Sequence, residues 1–244
     1  MRYAILSLGM AMITGTILTA LLLGTTGGTM LIGSMLVAAV AAVMTLIWVV
    51  PTASICLAIV NDTSAGNDAV EEWPDAVWID SVLDILFLFN AFALAAGAGM
   101  AVSRLLSYFG NNDAIAPWCA GATLFLVFPI ALLSMLESAS PMMPLSAALL
   151  RSLGQSFGAW VIFYLETGLL CGLFGLMLLG GYTILDLQGS ANWGTALTFF
   201  ALVVPLPFLS IYGMMVYFRI LGRLVFVCGE NSEHDEIDED EEEL

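Results

Sequence analysis

Apolar stretches long enough to cross a lipid bilayer recur along this chain from Ala4 to Phe218. A transmembrane helix needs about 20 consecutive apolar residues, because the hydrocarbon core of a bilayer is ~30 Å thick. The composition agrees with this pattern, since 60% of the residues are hydrophobic, 11% are charged and the mean hydropathy is +0.98. Soluble domains carry about 25% charged residues. The chain is therefore predicted to be a polytopic membrane protein.

Windows of about 20 apolar residues predict an all-α bundle of six transmembrane helices. The apolar run after Arg2 also fits a secretory signal, but it continues to Gly24 without an A-x-A cleavage pattern, which favours a first spanning helix. The second helix can kink at Pro51 and run on, because the apolar character continues to Val60. The predicted spans are residues 4–24, 30–50, 82–106, 118–136, 157–182 and 195–218.

The few arginines and the aromatic residues orient these helices. With both termini in the cytoplasm, four of the five arginines lie inside and only Arg104 faces out, as the positive-inside rule favours. Aromatic residues such as Trp48, Trp118 and Trp160 lie near predicted span ends, where headgroup-level rings are common. Short loops and the lack of targeting features favour a bacterial inner (cytoplasmic) membrane.

Three polar segments interrupt or follow the spans. Residues 61–80 form an acidic loop with six acidic and no basic residues, and residues 138–156 read as a brief interfacial helix or, more simply, a connecting elbow. The segment 229–244 is expected to be a disordered tail, because it has no apolar periodicity and too much like charge to collapse. Ten of the 21 acidic residues lie in this tail, so most of the net charge of −16 is concentrated there.

Binding to nucleic acids is excluded, because the five basic residues are too few and too scattered to line a groove for a phosphate backbone.

Glu166 is a carboxylate near the middle of the fifth predicted span, and it is the first candidate for an ion or proton site. A structural hydrogen bond between helices is the simpler alternative. Pro129, Pro205 and Pro207 are predicted to kink the fourth and sixth helices, since each proline leaves a carbonyl one turn earlier without its usual amide. Packing kinks are favoured over a transporter-type broken helix, because the corresponding first and third helices contain no proline.

Small residues recur at every fourth position in several spans, for example Ala93, Gly97 and Ala101, and predict close helix packing within the chain or with a partner. The acidic loop and the start of the third helix supply further candidate contacts. An acidic vestibule there would attract cations or a basic partner loop, although solvated charges at a helix start are the simpler explanation. The candidate partner contacts are Trp73, Asp75, Asp80 and Asp84.

Enzymatic function is not expected. The spans contain no histidine for a membrane protease, His234 lies in the tail, and HExxH, G-x-G-D and phosphate-loop motifs are absent. The four cysteines are far apart without ligand-like spacing, so no metal or cofactor is predicted. The sequence therefore favours a non-catalytic component of a membrane assembly, in contact with lipid and with other membrane proteins or further copies of itself. The alternative is a small transporter or channel subunit that uses Glu166.

Overall fold

Helices form nearly all of the described part of the protein. The computed structural model describes residues 6, 9–14, 31–67, 70, 73, 78–110, 115–143, 145–186 and 205–242, and these residues contain no β-strand. Residues 9–14 are also helical. The main helices are α1 (Leu31–Ser64), α2 (Trp78–Gly110), α3 (Ala116–Glu137), α4 (Ala147–Gln155), α5 (Phe157–Asp186) and α6 (Pro205–Glu242).

Five helices of the described residues are long and apolar enough to cross a membrane. This agrees with the predicted membrane helical bundle. The first predicted span, 4–24, lies mostly outside the described residues, so the count of six stays a prediction. The candidate spans are Met35–Ser64, Val82–Phe109, Ala116–Glu137, Phe157–Met177 and Phe208–Gly229.

Two helices extend beyond the predicted span ends. Helix α1 continues through Pro51 to Ser64, which is the continuation that the apolar residues up to Val60 allowed. The last candidate span of the described residues is Phe208–Gly229, which includes Arg219 and Arg223, and residues 195–204 of the predicted span 195–218 lie outside the described part. Both arginines are exposed, and a long arginine side chain can lie along an apolar helix while its head reaches the interface.

Helix α6 begins with the two prolines that were predicted to kink it. Pro205 is the first described residue of α6, and Pro207 lies in the same turn. The residues that immediately precede Pro205 lie outside the described part of the chain, so the kinks predicted at Pro205 and Pro207 stay a prediction. At its other end α6 extends to Glu242, so the disordered tail predicted for residues 229–244 is not confirmed.

The chain divides into two compact units. The first unit comprises Met1–Thr52 and Glu166–Phe218, and the second comprises Ala53–Leu165 and Arg219–Leu244. In the first unit, the Trp48 indole donates a hydrogen bond from Nε1 to the Leu6 carbonyl at 2.9 Å. Trp48 thus ties α1 to the N-terminal segment.

In the second unit, α2 and α3 pack closely through small residues. Ala91, Ala95 and Gly99 are buried, and a Cβ added at Gly99 would lie 2.7 Å from the Ala120 carbonyl oxygen. Four-residue spacing places all three on one helix face, so the two backbones approach directly. The face formed by Ala93, Gly97 and Ala101, which the sequence singled out, is exposed instead.

The second half of α1 is the buried centre of this second unit. Every residue from Ala53 to Leu57 is buried, and Gly222 of α6 lies against Val60 and Thr63. Helix α1 then ends in a Schellman turn, in which Asn67 N donates to Asp62 O and Gly66 N donates to Thr63 O. Gly66 has φ +82°, a left-handed conformation that glycine adopts without penalty.

Candidate functional site

Glu166 lies on the exposed surface of α5, about halfway along the 21-residue span Phe157–Met177. Ile162, Leu165 and Leu169 are also exposed and share its face at helical spacing. Glu166 makes no hydrogen bond or ion pair with the described residues. The carboxyl group therefore interrupts an otherwise apolar face at the depth where a polar group has the fewest partners.

The predicted partner contacts are only partly described. Trp73 is 37% exposed, Asp80 lies in the first turn of α2, and Asp84 is half-buried one turn later. Asp75 lies outside the described residues. An acidic vestibule formed by these residues stays a prediction.

Pro129 lies inside α3 and is buried, as the sequence indicated. It removes the amide that would bond to the Phe125 carbonyl. Next to this interrupted turn, the Tyr164 hydroxyl donates a 2.8 Å hydrogen bond to the Leu126 carbonyl, and the Tyr164 ring packs edge-on to Phe125. A side chain of α5 thus covers the weakened turn, as expected for a packing feature rather than a ligand site.

The second unit contains a cavity of about 370 Å³ near the ends of five helix segments. Its apolar wall includes Leu133, Leu149 and Leu224. Its polar lining residues are Asn61, Ser64, Glu137, Ser152, Trp160 and Cys228. Pockets for small molecules have volumes of roughly 300 to 1,000 Å³ and combine apolar walls with a few convergent polar groups, so this cavity has both properties of a binding site.

Glu137 is held at the cavity by the start of α4. The Ser146 hydroxyl donates to Glu137 Oε2 at 2.6 Å and accepts from Leu149 N at 3.2 Å. Ser146 is therefore the N-cap of α4, and Glu137 lies near the positive end of that helix. The short helix read from residues 138–156 is confirmed as α4, although Gly154 lies inside it rather than after it.

Trp160 provides the least satisfied polar atom at the cavity. Its side chain is 1% exposed, and its Nε1 has no hydrogen-bond partner. The Cys228 thiol lies beside the indole, but sulfur is a weak acceptor. The sequence places Trp160 near a span end, where headgroup-level rings are common, and in the structure its ring packs against Phe163 and Tyr164.

The sequence did not identify the cavity, because its lining comes from segments far apart along the chain. The Ser146 cap followed by an apolar-polar helix was the available signal, and it pointed to α4 alone. Within the described ranges, no group of three or more His, Cys, Asp or Glu side chains could hold a metal ion.

Comparisons with family models, curated proteins and solved structures find no match for this chain.

Proposed function

We propose that this chain is a non-catalytic component of a membrane assembly and that the Glu166 face of α5 binds a transmembrane segment of another protein or of a second copy. The observation that carries the proposal is the exposed carboxyl group at the middle of an apolar span. Charged acidic residues at such a depth cost about 2.5 to 3.5 kcal/mol on insertion scales, and they usually face other helices or water.

A partner helix with a hydrogen-bond donor would remove this cost. Protonation alone leaves a hydroxyl and a carbonyl without partners in hydrocarbon, which is also unfavourable. The exposed small residues of α2, Ala93, Gly97 and Ala101, offer a second face on which another helix backbone can approach closely. Both features fit an assembly component better than a protein whose helices contact only lipid.

The test is native co-purification followed by mass spectrometry. Glu166→Leu, which removes every polar atom, is expected to release a co-purifying membrane protein or to dissociate a homo-oligomer. Glu166→Gln retains donor and acceptor atoms and is expected to keep the complex. Cys171→Ala, at an exposed position on the opposite side of α5, is the matched control. Equal recovery of the complex in all three variants would overturn the proposal.

The alternative function is a small transporter or channel subunit in which Glu166 titrates or meets a cation. It predicts that Glu166→Gln abolishes ion or solute flux in proteoliposomes. Unchanged flux, together with loss of a co-purifying protein after deletion of residues 230–244, would favour the assembly function.

The proposed location is a bacterial inner membrane with both termini in the cytoplasm. Arg151 lies on α4, after the end of α3, whereas Arg104 lies near the end of α2. The positive-inside rule then places α4 and the acidic segment after Gly229 on the cytoplasmic side. Reporter fusions at residues 112 and 244 should report opposite sides of the membrane, and reports from the same side would refute this topology.

A further inference from the structure

We infer that the cavity of the second unit is a binding site for a small amphiphile with an apolar chain and a primary ammonium head. The cavity has a volume of about 370 Å³ and is lined by α1, α3, α4, α5 and α6. The inference does not depend on the assembly function, since Glu166 does not line this cavity.

The walls select the apolar chain of the ligand. Val60, Leu133, Leu149, Leu224 and Val225 line the cavity with aliphatic groups. Water in such a space would have few hydrogen-bond partners along these walls, whereas an alkyl chain would replace it and gain dispersion contacts. The apolar chain is therefore expected to lie along this side.

The charge around the cavity selects the head. Among the lining residues that the structure describes, Glu137 carries the only carboxyl group, and none is an arginine. The last turns of α1 and α3 meet the cavity, and so do the first turns of α4 and α5, which contain Leu149 and Trp160. The partial charges of helix C-termini and N-termini have opposite signs and largely cancel here. The Glu137 carboxyl group therefore decides the preference, and it favours a cation over an anion.

The polar lining residues supply partners for a donor-rich head with one acceptor atom. A primary ammonium offers three donors, which match the acceptor oxygens of Glu137, Asn61 and Ser64. Trp160 Nε1 is buried without a hydrogen-bond partner and can donate to an oxygen next to the amine. A buried donor without a partner is costly, and a ligand oxygen would remove that cost. A vicinal amino alcohol carries both groups.

Cys228 provides a reporter inside the cavity. It lines the wall and is partly accessible, so a small thiol reagent can measure whether the cavity is occupied. The full-length protein with Cys56, Cys119 and Cys171 changed to Ala is reconstituted in nanodiscs, and the rate of Cys228 modification by methyl methanethiosulfonate is measured. A second protein that retains only Cys119 controls for effects of the additives on the membrane.

Three probes share the same eight-carbon chain and differ only in the head group: vicinal aminooctanol, octanediol and hydroxyoctanoate. Aminooctanol is expected to slow Cys228 modification at concentrations about tenfold lower than octanediol, as one charge-assisted hydrogen bond predicts. Hydroxyoctanoate should give the weakest protection. The modification of Cys119 should not change with any probe.

Two sets of variants connect this effect to the cavity. Glu137→Gln keeps the side-chain shape and is expected to remove the advantage of aminooctanol over octanediol. Leu149→Trp fills the cavity and should abolish protection by all probes, whereas Leu150→Trp, on the exposed side of α4, should leave it unchanged. The inference is overturned if no probe protects Cys228, if hydroxyoctanoate protects as well as aminooctanol, or if Glu137→Gln leaves the order of the probes intact.

The lipid composition of the nanodiscs identifies the source of the ammonium group. Slow modification of Cys228 in phosphatidylethanolamine discs before any probe is added, but not in phosphatidylcholine discs, assigns the head to a lipid. Equal starting rates in both discs, with protection by aminooctanol, assign it to a free amine. Phosphatidylcholine is the control lipid, because its quaternary choline group has no N–H donors. Both results support the ammonium-binding site and differ only in the source of the ammonium group.

Discussion

A methyl group at Gly99 tests whether the backbones of α2 and α3 approach as closely as the structure indicates. The added Cβ would lie 2.7 Å from the Ala120 carbonyl oxygen. Ordinary contact begins near 3.4 Å, so the helices must separate by about 0.7 Å or the turn must distort. The neighbouring residues Ala91 and Ala95 are buried on the same face, and their packing would loosen with it.

Gly97→Ala is the matched control for Gly99→Ala. Gly97 lies two residues away on the same helix, and a Cβ added there meets nothing within 4 Å. Both substitutions change the intrinsic helix propensity by the same amount, about 1 kcal/mol in favour of alanine. The difference between the two variants therefore isolates the packing term, which is about 1 to 3 kcal/mol for overpacking in a tight core.

The assay is reversible unfolding in mixed micelles, in which SDS is titrated against a mild detergent and helix content is followed by circular dichroism. Gly99→Ala is expected to unfold more readily than Gly97→Ala by a factor of roughly 5 to 150 in the equilibrium constant. Gly97→Ala should match or exceed the wild-type protein. Equal stability of the two variants would show that α2 and α3 do not meet at Gly99.

Three further substitutions test other contacts of the second unit by the same unfolding assay. In Gly222→Ala the added Cβ would lie 2.8 Å from the Val60 carbonyl oxygen, so this variant should be destabilised by about 1 to 3 kcal/mol. Gly229→Ala is its control, because a Cβ there meets nothing within 4 Å, and equal effects of the two substitutions would contradict the prediction. Tyr164→Phe loses one hydrogen bond and should cost about 1 kcal/mol, so an unchanged midpoint would refute that bond. Ala139→Gly should stabilise by about 1 kcal/mol, because Ala139 has φ +47°, and a destabilised variant would argue against that turn.

The sequence predicted the membrane class and the approximate position of most spans, because a run of about 20 apolar residues is a property of neighbours along the chain. The span ends are harder to predict where the composition breaks locally. Helix α1 continues through Pro51, and the last candidate span of the described residues includes Arg219. Interior packing supports a helix through a proline, and an exposed arginine head can reach the interface, so neither residue is a reliable boundary.

The sequence also could not predict which face of α2 packs against α3. Ala93, Gly97 and Ala101 have the spacing of a close-packing face, and so do Ala91, Ala95 and Gly99, yet only the second set is buried. A period of four identifies possible faces but does not say which one meets a neighbour. The position of Ala120 on the facing helix decides this, and that position is a property of tertiary structure.

Glu166 and Trp160 differ from the threonines of the described spans in how their polar atoms can be satisfied. Thr45, Thr52 and Thr123 each donate to the carbonyl four residues earlier at 2.7 to 2.8 Å, although the buried Ser54 and Ser134 hydroxyls make no such bond. This local solution satisfies a polar group in hydrocarbon without any second helix. An ionised glutamate has no donor for such a bond, and the indole ring of Trp160 cannot turn its N–H back to its own helix. Glu166 therefore needs a hydrogen-bond donor from a molecule outside α5, and Trp160 needs an acceptor inside the cavity. Substitutions that remove or replace these partners are expected to have measurable effects at both positions.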